Sequence, residues 1–429
     1  MKKQMHVGIL IYGVGHHLAA WKMPDSQIER LGDISYYQQL AKTCERGKFD
    51  TIFFADNQAL NATHDQVMPA MWLDPIVNLS AISQVTEHIG LVCTISGTFM
   101  NPYLSARQML SLQHISKGRA GWNLVTSMTD EEAMNHSMNN LPNHADRYKK
   151  AREFGQLMNQ LFTSWSEDDF ICDKQNQQII DHKNIRPINH EGEHFNVRGP
   201  LSTPNSKYGK PVAMQAGASD QGLKLAAEQA DAVYSVSWNK KQAKRYRDRL
   251  DDAITSVNRT RPIKVFPGLV TYVGHTIEEA YDKKQQLDDL LDIESSLKML
   301  EFFIQQDTSQ WNLDDKVPEL PPVEEFTGPK GRYETVLEII KDKDPTVKEL
   351  LGYLAAGGGH LTLIGTPKTI VDEMEQWLNE GIADGFNLMP PTLPNSLDDF
   401  VEMIIPELQS RGLFREDYDT KTLREHFGI

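Results

Sequence analysis

Apolar residues along this chain fall into short, unbroken runs, separated by stretches in which they recur every three or four positions. HVGILIY (6–12), DTIFFAD (50–56), IGLVCTIS (89–96) and AGWNLVTS (120–127) are runs of the first kind. PVAMQAG (211–217), DAVYSVS (231–237), IKVFPGLVTYV (263–273), LTLIG (361–365) and FNLMP (386–390) continue the series. Such runs predict strands covered on both faces, because a strand with one wet face alternates instead. Helical spacing between them predicts helices over 36–49, 75–87, 102–116 and 147–165. Strands and helices taking turns predict a parallel sheet. Eight or so such units in one chain favour a (β/α)8 TIM barrel, of class α/β, over an open doubly wound sheet.

Two regions break the alternation. Residues 166–210 are polar, rich in Asp, Gln, Asn and His and then in Pro and Gly, and residues 275–360 are helical and charged, with a PELPP stretch at 318–322. Both read as insertions on one barrel domain spanning 1–429, near its active face. No internal repeat or low-complexity tract is present.

Composition narrows the classes. At 429 residues with 40% hydrophobic residues, the chain can bury a large core, which excludes global disorder. A formal net charge of −15 argues against a nucleic-acid binder, whose affinity needs clustered Lys and Arg. Three scattered cysteines, Cys44, Cys93 and Cys172, support neither a disulfide framework nor metal spacing and suit a reducing cytoplasm. The start, MKKQMHVGILIYGVGHH, has the basic and apolar parts of a secretory signal but is interrupted by glycines and lacks a cleavage site. No run reaches the ~20 apolar residues of a membrane span. A cytoplasmic protein without membrane or nucleic-acid partners is expected.

The candidate chemistry sits at strand ends, where a barrel places its ligand contacts. GVGHHL (13–18) follows the first strand; it lacks the third glycine of a dinucleotide fingerprint, and His16 and His17 are either polar groups over a pocket or an exposed pair. Asp56 closes the second strand, as a ligand contact or as an N-cap. Thr94 and Ser96 end the third, with hydroxyls for a ligand edge or for backbone. His144 and Tyr148 share one face at the start of a long helix, as a site pair near its positive end or as ordinary surface packing. In QAGASDQGLKLAAEQAD (215–231), a small-residue turn enters an alanine-rich helix, and Ser219 with free N–H groups makes a phosphate cradle or simply an N-cap. HEGEH (190–194) matches a zinc-protease helix by letters, yet Gly192, Pro187, Gly199 and Pro200 favour a solvent-facing hairpin, and no metal site is expected. GRAGWNLVTS (118–127) puts Trp122 beside Asn123 between a glycine turn and a strand, as core or as the mouth of a site.

Together these stretches resemble the luciferase-like flavin monooxygenases, in the branch of nitrilotriacetate, dibenzothiophene-sulfone and long-chain alkane monooxygenases. The similarity is carried by AWKMPDS (20–26), FFADNQAL (53–60), NPYLSARQMLSLQHISKGRAGWNLVTS (101–127) and HADRY (144–148). PVAMQAGASDQGLKLAAEQADAVY, LIGTPKTIVDEM, ADGFNLMP and the tail RGLFREDY…LREHFG extend it over nearly the whole chain. The resemblance implies a bacterial-luciferase-like barrel that binds FMN through Asp56, Thr94, His144, Tyr148 and Ser219, with Ser219 and Tyr148 on the phosphate. It further implies reduced FMN supplied by a separate NAD(P)H-dependent flavin reductase, O2 as oxidant, a small organic substrate oxidised at S, N or C, and a homo-oligomer. His16 matches a histidine near the flavin in alkane-oxidising relatives and is the expected catalytic group, although Gly13 stands where those relatives carry cysteine. Arg186 and Arg198 are candidate carboxylate contacts or ordinary solvated charges. A flavin- or deazaflavin-dependent oxidoreductase of the same fold, without oxygenase activity, stays open beside this reading.

Overall fold

Strand β1 (His6–Ile11), helix α1 (Ile34–Arg46), β2 (Thr51–Phe54), α2 (Pro75–Ile82), β3 (Gly90–Ser96), α3 (Pro102–Ile115) and β4 (Ala120–Val125) open the chain in the alternation that the apolar runs predict. They are followed by α4 (His144–Phe162), β5 (Val212–Ala216), α5 (Asp220–Gln229), β6 (Ala232–Ser235), α6 (Lys240–Ser256) and β7 (Lys264–Val273). The computed structural model describes residues 3–60, 65–326 and 330–429. Beyond β7 come α7 (Ile277–Asp288), α8 (Ile293–Ile304), α9 (Lys330–Lys343), α10 (Val347–Ala355), β8 (Leu361–Gly365), α11 (Pro367–Asn379) and β9 (Gly385–Leu388).

The sheet order is β6-β5-β4-β3-β2-β1-β9-β7-β8, with β6 also pairing with β7. Eight strands therefore close into a parallel (β/α)8 barrel, and β8 adds to β7 as a ninth strand outside the ring, in register from Leu269–Leu361 to Val273–Gly365. That resolves the nine apolar runs of the sequence into eight barrel strands and one addition.

Helix ends follow capping chemistry. Asp74, Asn101, Asn143 and Ser219 each accept from a backbone N–H in the first turn of α2, α3, α4 and α5. The sequence-based bounds of α1 and α2 run past their ends, because Lys48 takes a left-handed conformation (φ 61°) and α2 stops at Ile82. In α4 the Asn143 cap starts the helix three residues before the predicted Arg147.

The chain divides into two compact units, residues 1–31, 234–248 and 265–416 in one, and residues 32–233, 249–264 and 417–429 in the other. In the second, Arg119 is buried and donates to Ser116 O (2.8 Å), Thr86 Oγ1 (2.9 Å), Ile89 O (3.0 Å), Thr86 O (3.0 Å) and Ser83 O (3.1 Å). One guanidinium thus satisfies carbonyls that the turns before β3 and β4 would otherwise leave unpaired. Segment 166–210 carries two small hairpins, Phe170–Asp173 with Gln178–Ile180 and His190–Glu191 with Asn196–Val197. In the first unit, segment 275–360 holds α7 to α10, and Leu300, Ile304, Tyr333, Val336, Ile339, Leu350, Leu351 and Leu354 form a core there. Residues 327–329 of that segment lie outside the described residues. No helix among the described residues is long and apolar enough to cross a membrane.

Candidate functional site

Five of the six expected site residues belong to one compact unit: Asp56 and Thr94 lie at the C-terminal ends of β2 and β3, Ser219 follows β5, and His144 and Tyr148 open α4. The turn Gly217–Ala218 leads from β5 to Ser219, whose Oγ accepts from Gly222 N (3.1 Å) and caps α5. The cap reading of Ser219 is therefore realised, but it uses only a lone pair, and the hydroxyl hydrogen stays available to a ligand oxygen. The N–H groups of Asp220 and Gln221 have no helical partner, as the first turn of any helix requires. A side chain on Gly222 would start 3.1 Å from Tyr148 Oη and 3.3 Å from both Ser219 Oγ and Gly217 Cα. Tyr148 and Ser219, 71 positions apart in sequence, thus present their hydroxyls to one small hollow at a helix N-terminus. Asp220 places a carboxylate in that first turn, but it is exposed and paired with Arg249 at 2.8 Å.

His144 is the first residue of α4, and its ring lies 4.7 Å from that of Tyr148 at 45°. The helical spacing predicted that contact. On β3 and β4, Thr94 is in register with Asn123, whose Nδ2 donates to Thr94 Oγ1 at 3.3 Å. Both are buried, and Asn123 Oδ1 has no hydrogen-bond partner among the described residues. Trp122 packs edge-on against Phe162 of α4, centroids 6.4 Å apart. Successive strand residues point to opposite faces, so Trp122 serves the helix layer and Asn123 faces the barrel interior. This is why a tryptophan and an asparagine stand side by side.

Asp56 lies two residues past β2 and caps no helix; the α2 cap is Asp74. Its carboxylate accepts from Gln58 Nε2 (2.8 Å), and the same Gln58 side chain bonds His136, whose ring stacks on Phe99 at 4.7 Å. Burial raises the Asp56 pKa, with smaller contributions from Asp74 and Glu132. Ser96 is committed to Ser127 Oγ (2.8 Å) and the N–H groups of Thr98 and Phe99, so of the two hydroxyls ending β3 only Thr94 meets an orphaned group.

Sequence reasoning named Asn123 only as core or the mouth of a site, and did not single out Gly222. Gln215 of β5 is buried with Oε1 unpartnered among the described residues, but its register with Leu124 puts it on the Trp122 face rather than with Asn123. The available signals were a polar residue in an apolar strand and a glycine in the first turn of a helix.

His16 belongs to the other unit. His16 and His17 are 7% and 0% exposed, which overturns the exposed-pair alternative. The ring of His16 stacks on Tyr12 at 5.4 Å, and its Nδ1 meets Pro390 O at 3.3 Å. A carbonyl only accepts, so Nδ1 carries the proton and buried Nε2, without a partner, holds a lone pair. Burial lowers its pKa from 6.5 to about 4, against a weaker upward effect of Pro390. His16 is thus a neutral imidazole of fixed tautomer. His17 accepts from Ala19 N (3.1 Å) and donates through Nε2 to Asp288 (3.2 Å) on α7, so it is structural.

HEGEH is a hairpin, not a helix. Glu153 of α4 accepts from His190 Nε2 (3.0 Å), His194 N (2.9 Å) and Phe195 N (2.9 Å). Among the described residues no three metal-ligating side chains converge. Arg186 and Arg198 are exposed, as solvated charges are.

Residues 12–384 match the family described as luciferase-like monooxygenase. The chain is 37% identical over 431 residues to N-acetyl-S-(2-succino)cysteine monooxygenase of Bacillus subtilis (strain 168), covering 100% of this chain and 97% of that protein. It is 38% identical over 440 residues to nitrilotriacetate monooxygenase component A of Aminobacter aminovorans, covering 100% and 97%. Among solved structures, riboflavin lyase with modified FMN and substrate riboflavin superposes with a TM-score of 0.85 at 27% identity, covering 100% of this chain and 96% of that one.

Proposed function

The chain belongs to the luciferase-like monooxygenase family and is a monooxygenase; we propose that it is the oxygenase component of a two-component system. It takes reduced FMN from a separate NAD(P)H-dependent flavin reductase and uses O2 to oxidise a small organic substrate. The observation that carries this reading is the hollow at the start of α5, where Ser219 Oγ, Tyr148 Oη and two free N–H groups meet over a glycine. That donor set suits a phosphate dianion: aligned N–H groups, the positive end of a helix and two hydroxyl donors. The orphaned Asn123 Oδ1 is a buried polar atom that the edge of a flat heterocycle would satisfy. The residues present fit FMN.

When bound, reduced flavin supplies the electrons that activate O2. This chain's residues do the rest. Ser219 and Tyr148 hold the phosphate. Asp56, Thr94 and His144 position the flavin, with Thr94 aligned by Asn123 and Asp56 by Gln58. His16 accepts a proton at Nε2, the one ring nitrogen left with a lone pair, and its burial keeps it neutral across the physiological range.

The test is titration of purified apoprotein with oxidised and reduced FMN, beside Ser219→Ala and Tyr148→Phe. Tighter binding of the reduced form, weakened about tenfold or more by each substitution, is expected from the loss of one bond to a charged oxygen. No flavin binding in either form refutes the proposal. For His16→Ala, FMN affinity stays intact and turnover falls; an unchanged rate removes His16 from the reaction.

A further inference from the structure

Arg332, the third residue of α9, is a guanidinium without a counter-charge. Its Nη1 donates to Gly358 O and reaches Gly357 O at 3.5 Å, and its plane lies 5.7 Å from the Phe303 ring. No carboxylate among the described residues pairs with it, and nothing among them accepts from its Nε or Nη2. The chain carries 59 acidic residues and a net charge of −15, yet none of the described ones is placed here. Burial lowers the pKa of this guanidinium, with no charged neighbour offsetting it. Arg332 is half-buried, and its Nε–Nη2 edge is not among the enclosed unpartnered atoms, so that edge is open to an anion arriving from solvent.

The surrounding backbone is shaped around this group. Gly357, Gly358 and Gly359 all take positive φ (76°, 63° and 95°), a run that side chains resist. The turn aims the carbonyls of Gly357 and Gly358 at Nη1, and leaves the Nε–Nη2 edge, a pair of parallel N–H donors, uncommitted. That edge is the fork that takes a carboxylate with two hydrogen bonds.

The same turn delivers His360, whose buried Nδ1 has no partner among the described residues. His360 packs against Gly268 and Met389, since a side chain on Gly268 would begin 2.2 Å from His360 Nδ1 and 2.8 Å from Met389 Sδ. It lies within electrostatic reach of both Arg332 and His16. Tyr272, buried in the cluster that holds Met389, also has an unpartnered hydroxyl. One charged fork and three orphaned buried atoms, on His16, His360 and Tyr272, therefore belong to one compact unit.

We propose that Arg332 anchors a carboxylate of the substrate through its Nε–Nη2 edge, so that the compound oxidised is an organic acid. This rests on the oxygenase reading, and it assigns a specificity role to a residue of the 275–360 segment. In a chain of net negative charge, a local cation is also what draws an acidic substrate in.

The experiment is calorimetric titration of the FMN-loaded enzyme with N-acetyl-S-(2-succino)cysteine and with nitrilotriacetate, each beside its methyl ester. At least one acid binds, and its ester binds about tenfold or more weakly. Arg332→Met weakens the acid by about 10–100-fold and leaves the ester unchanged, while Arg332→Lys falls between. Reduced-FMN affinity stays at the wild-type value in both variants. Equal binding of acid and ester by the wild-type enzyme, binding of no acid, or an unaltered Arg332→Met variant overturns the proposal. So does a loss of FMN affinity in Arg332→Met, which would assign the guanidinium to the flavin phosphate. The acid–ester comparison needs no variant and survives misfolding of either one. Failure of wild-type protein to bind reduced FMN would sink the oxygenase reading, whereas acid binding lost only in the variants would still support Arg332.

Discussion

Substituting Gly222 by alanine separates the proposed flavin cradle from the fold that builds it. Gly222 is the third residue of α5 and helical, so the added methyl gains about 0.5–1 kcal/mol in helix propensity. Against this, the methyl would sit 3.1 Å from Tyr148 Oη and 3.3 Å from Ser219 Oγ and Gly217 Cα. These contacts are short by a few tenths of an ångström. Tyr148 is a side chain near the start of a half-buried helix face and can yield; Gly217 is backbone and yields less. The two effects oppose each other, and net stability changes by less than about 1 kcal/mol in either direction.

Binding is a different matter. The methyl fills the space between the two hydroxyls, so at least one hydrogen bond to a phosphate oxygen is lost. A bond to a charged group is worth about 1.5–3 kcal/mol, which corresponds to a fall of about 10–100-fold in FMN affinity. Anaerobic fluorescence titration with oxidised and reduced FMN reads the affinity, and urea unfolding of the apoprotein reads the stability. Wild-type affinity in a stably folded Gly222→Ala protein would refute the assignment of this hollow to the phosphate. A collapse of stability by more than about 2 kcal/mol would refute the packing argument instead.

Arg119→Met should lower unfolding stability by more than about 3 kcal/mol in urea, because five buried acceptors lose their donor at once; a loss below about 1 kcal/mol would contradict the role of Arg119 in the turns. His16 has a folded pKa of about 4, below its ordinary 6.5, so the unfolded chain binds its proton first. Its contribution to stability is fully present above pH ~6.5 and fades as pH falls towards ~4, by up to about 3 kcal/mol. The wild-type advantage over His16→Gln should shrink across that window, and a pH-independent difference would argue against a buried neutral imidazole. Glu153→Gln should speed hydrogen exchange at the His194 and Phe195 amides without altering FMN affinity, since the carboxylate serves only the hairpin; unchanged exchange would refute that tether. Zinc should leave the melting temperature unmoved, and a stoichiometric zinc-dependent rise would restore the metal reading of HEGEH.

The barrel was legible because its signal is one of burial. Strands covered on both faces must be apolar throughout, and β3, with all seven residues buried, is the clearest case. What pattern could not supply was the place of LTLIG, since an added edge strand and a ring strand read alike by hydrophobicity. Helix ends slipped where one residue decides them, as at Lys48 and at the Asn143 cap.

Legibility of the site divides along the same physical line. The proposed phosphate cradle is made of backbone and a cap, so serine between a glycine turn and an alanine-rich helix reads equally as a cradle or as an N-cap, and the structure shows the cap. The placement of Thr94 at a strand end and of Tyr148 beside His144 on a helix face followed from position in the pattern. The histidine pair was undecidable from its letters, because burial of His16 and His17 is imposed by partners more than 270 positions away, Asp288 and Pro390. Arg332 was invisible for a stronger reason. In sequence it stands among the charges of a helical, polar segment, KGRYETVLEIIKDK, where a solvated arginine is the ordinary outcome. Only the fold shows that its sole hydrogen-bond partners among the described residues are two glycine carbonyls, and that the chain leaves its outer edge unsatisfied. A buried cofactor site announces itself by the small residues it requires. A substrate anchor of this kind is defined instead by the counter-charge the protein omits, and that omission has no signature in one dimension.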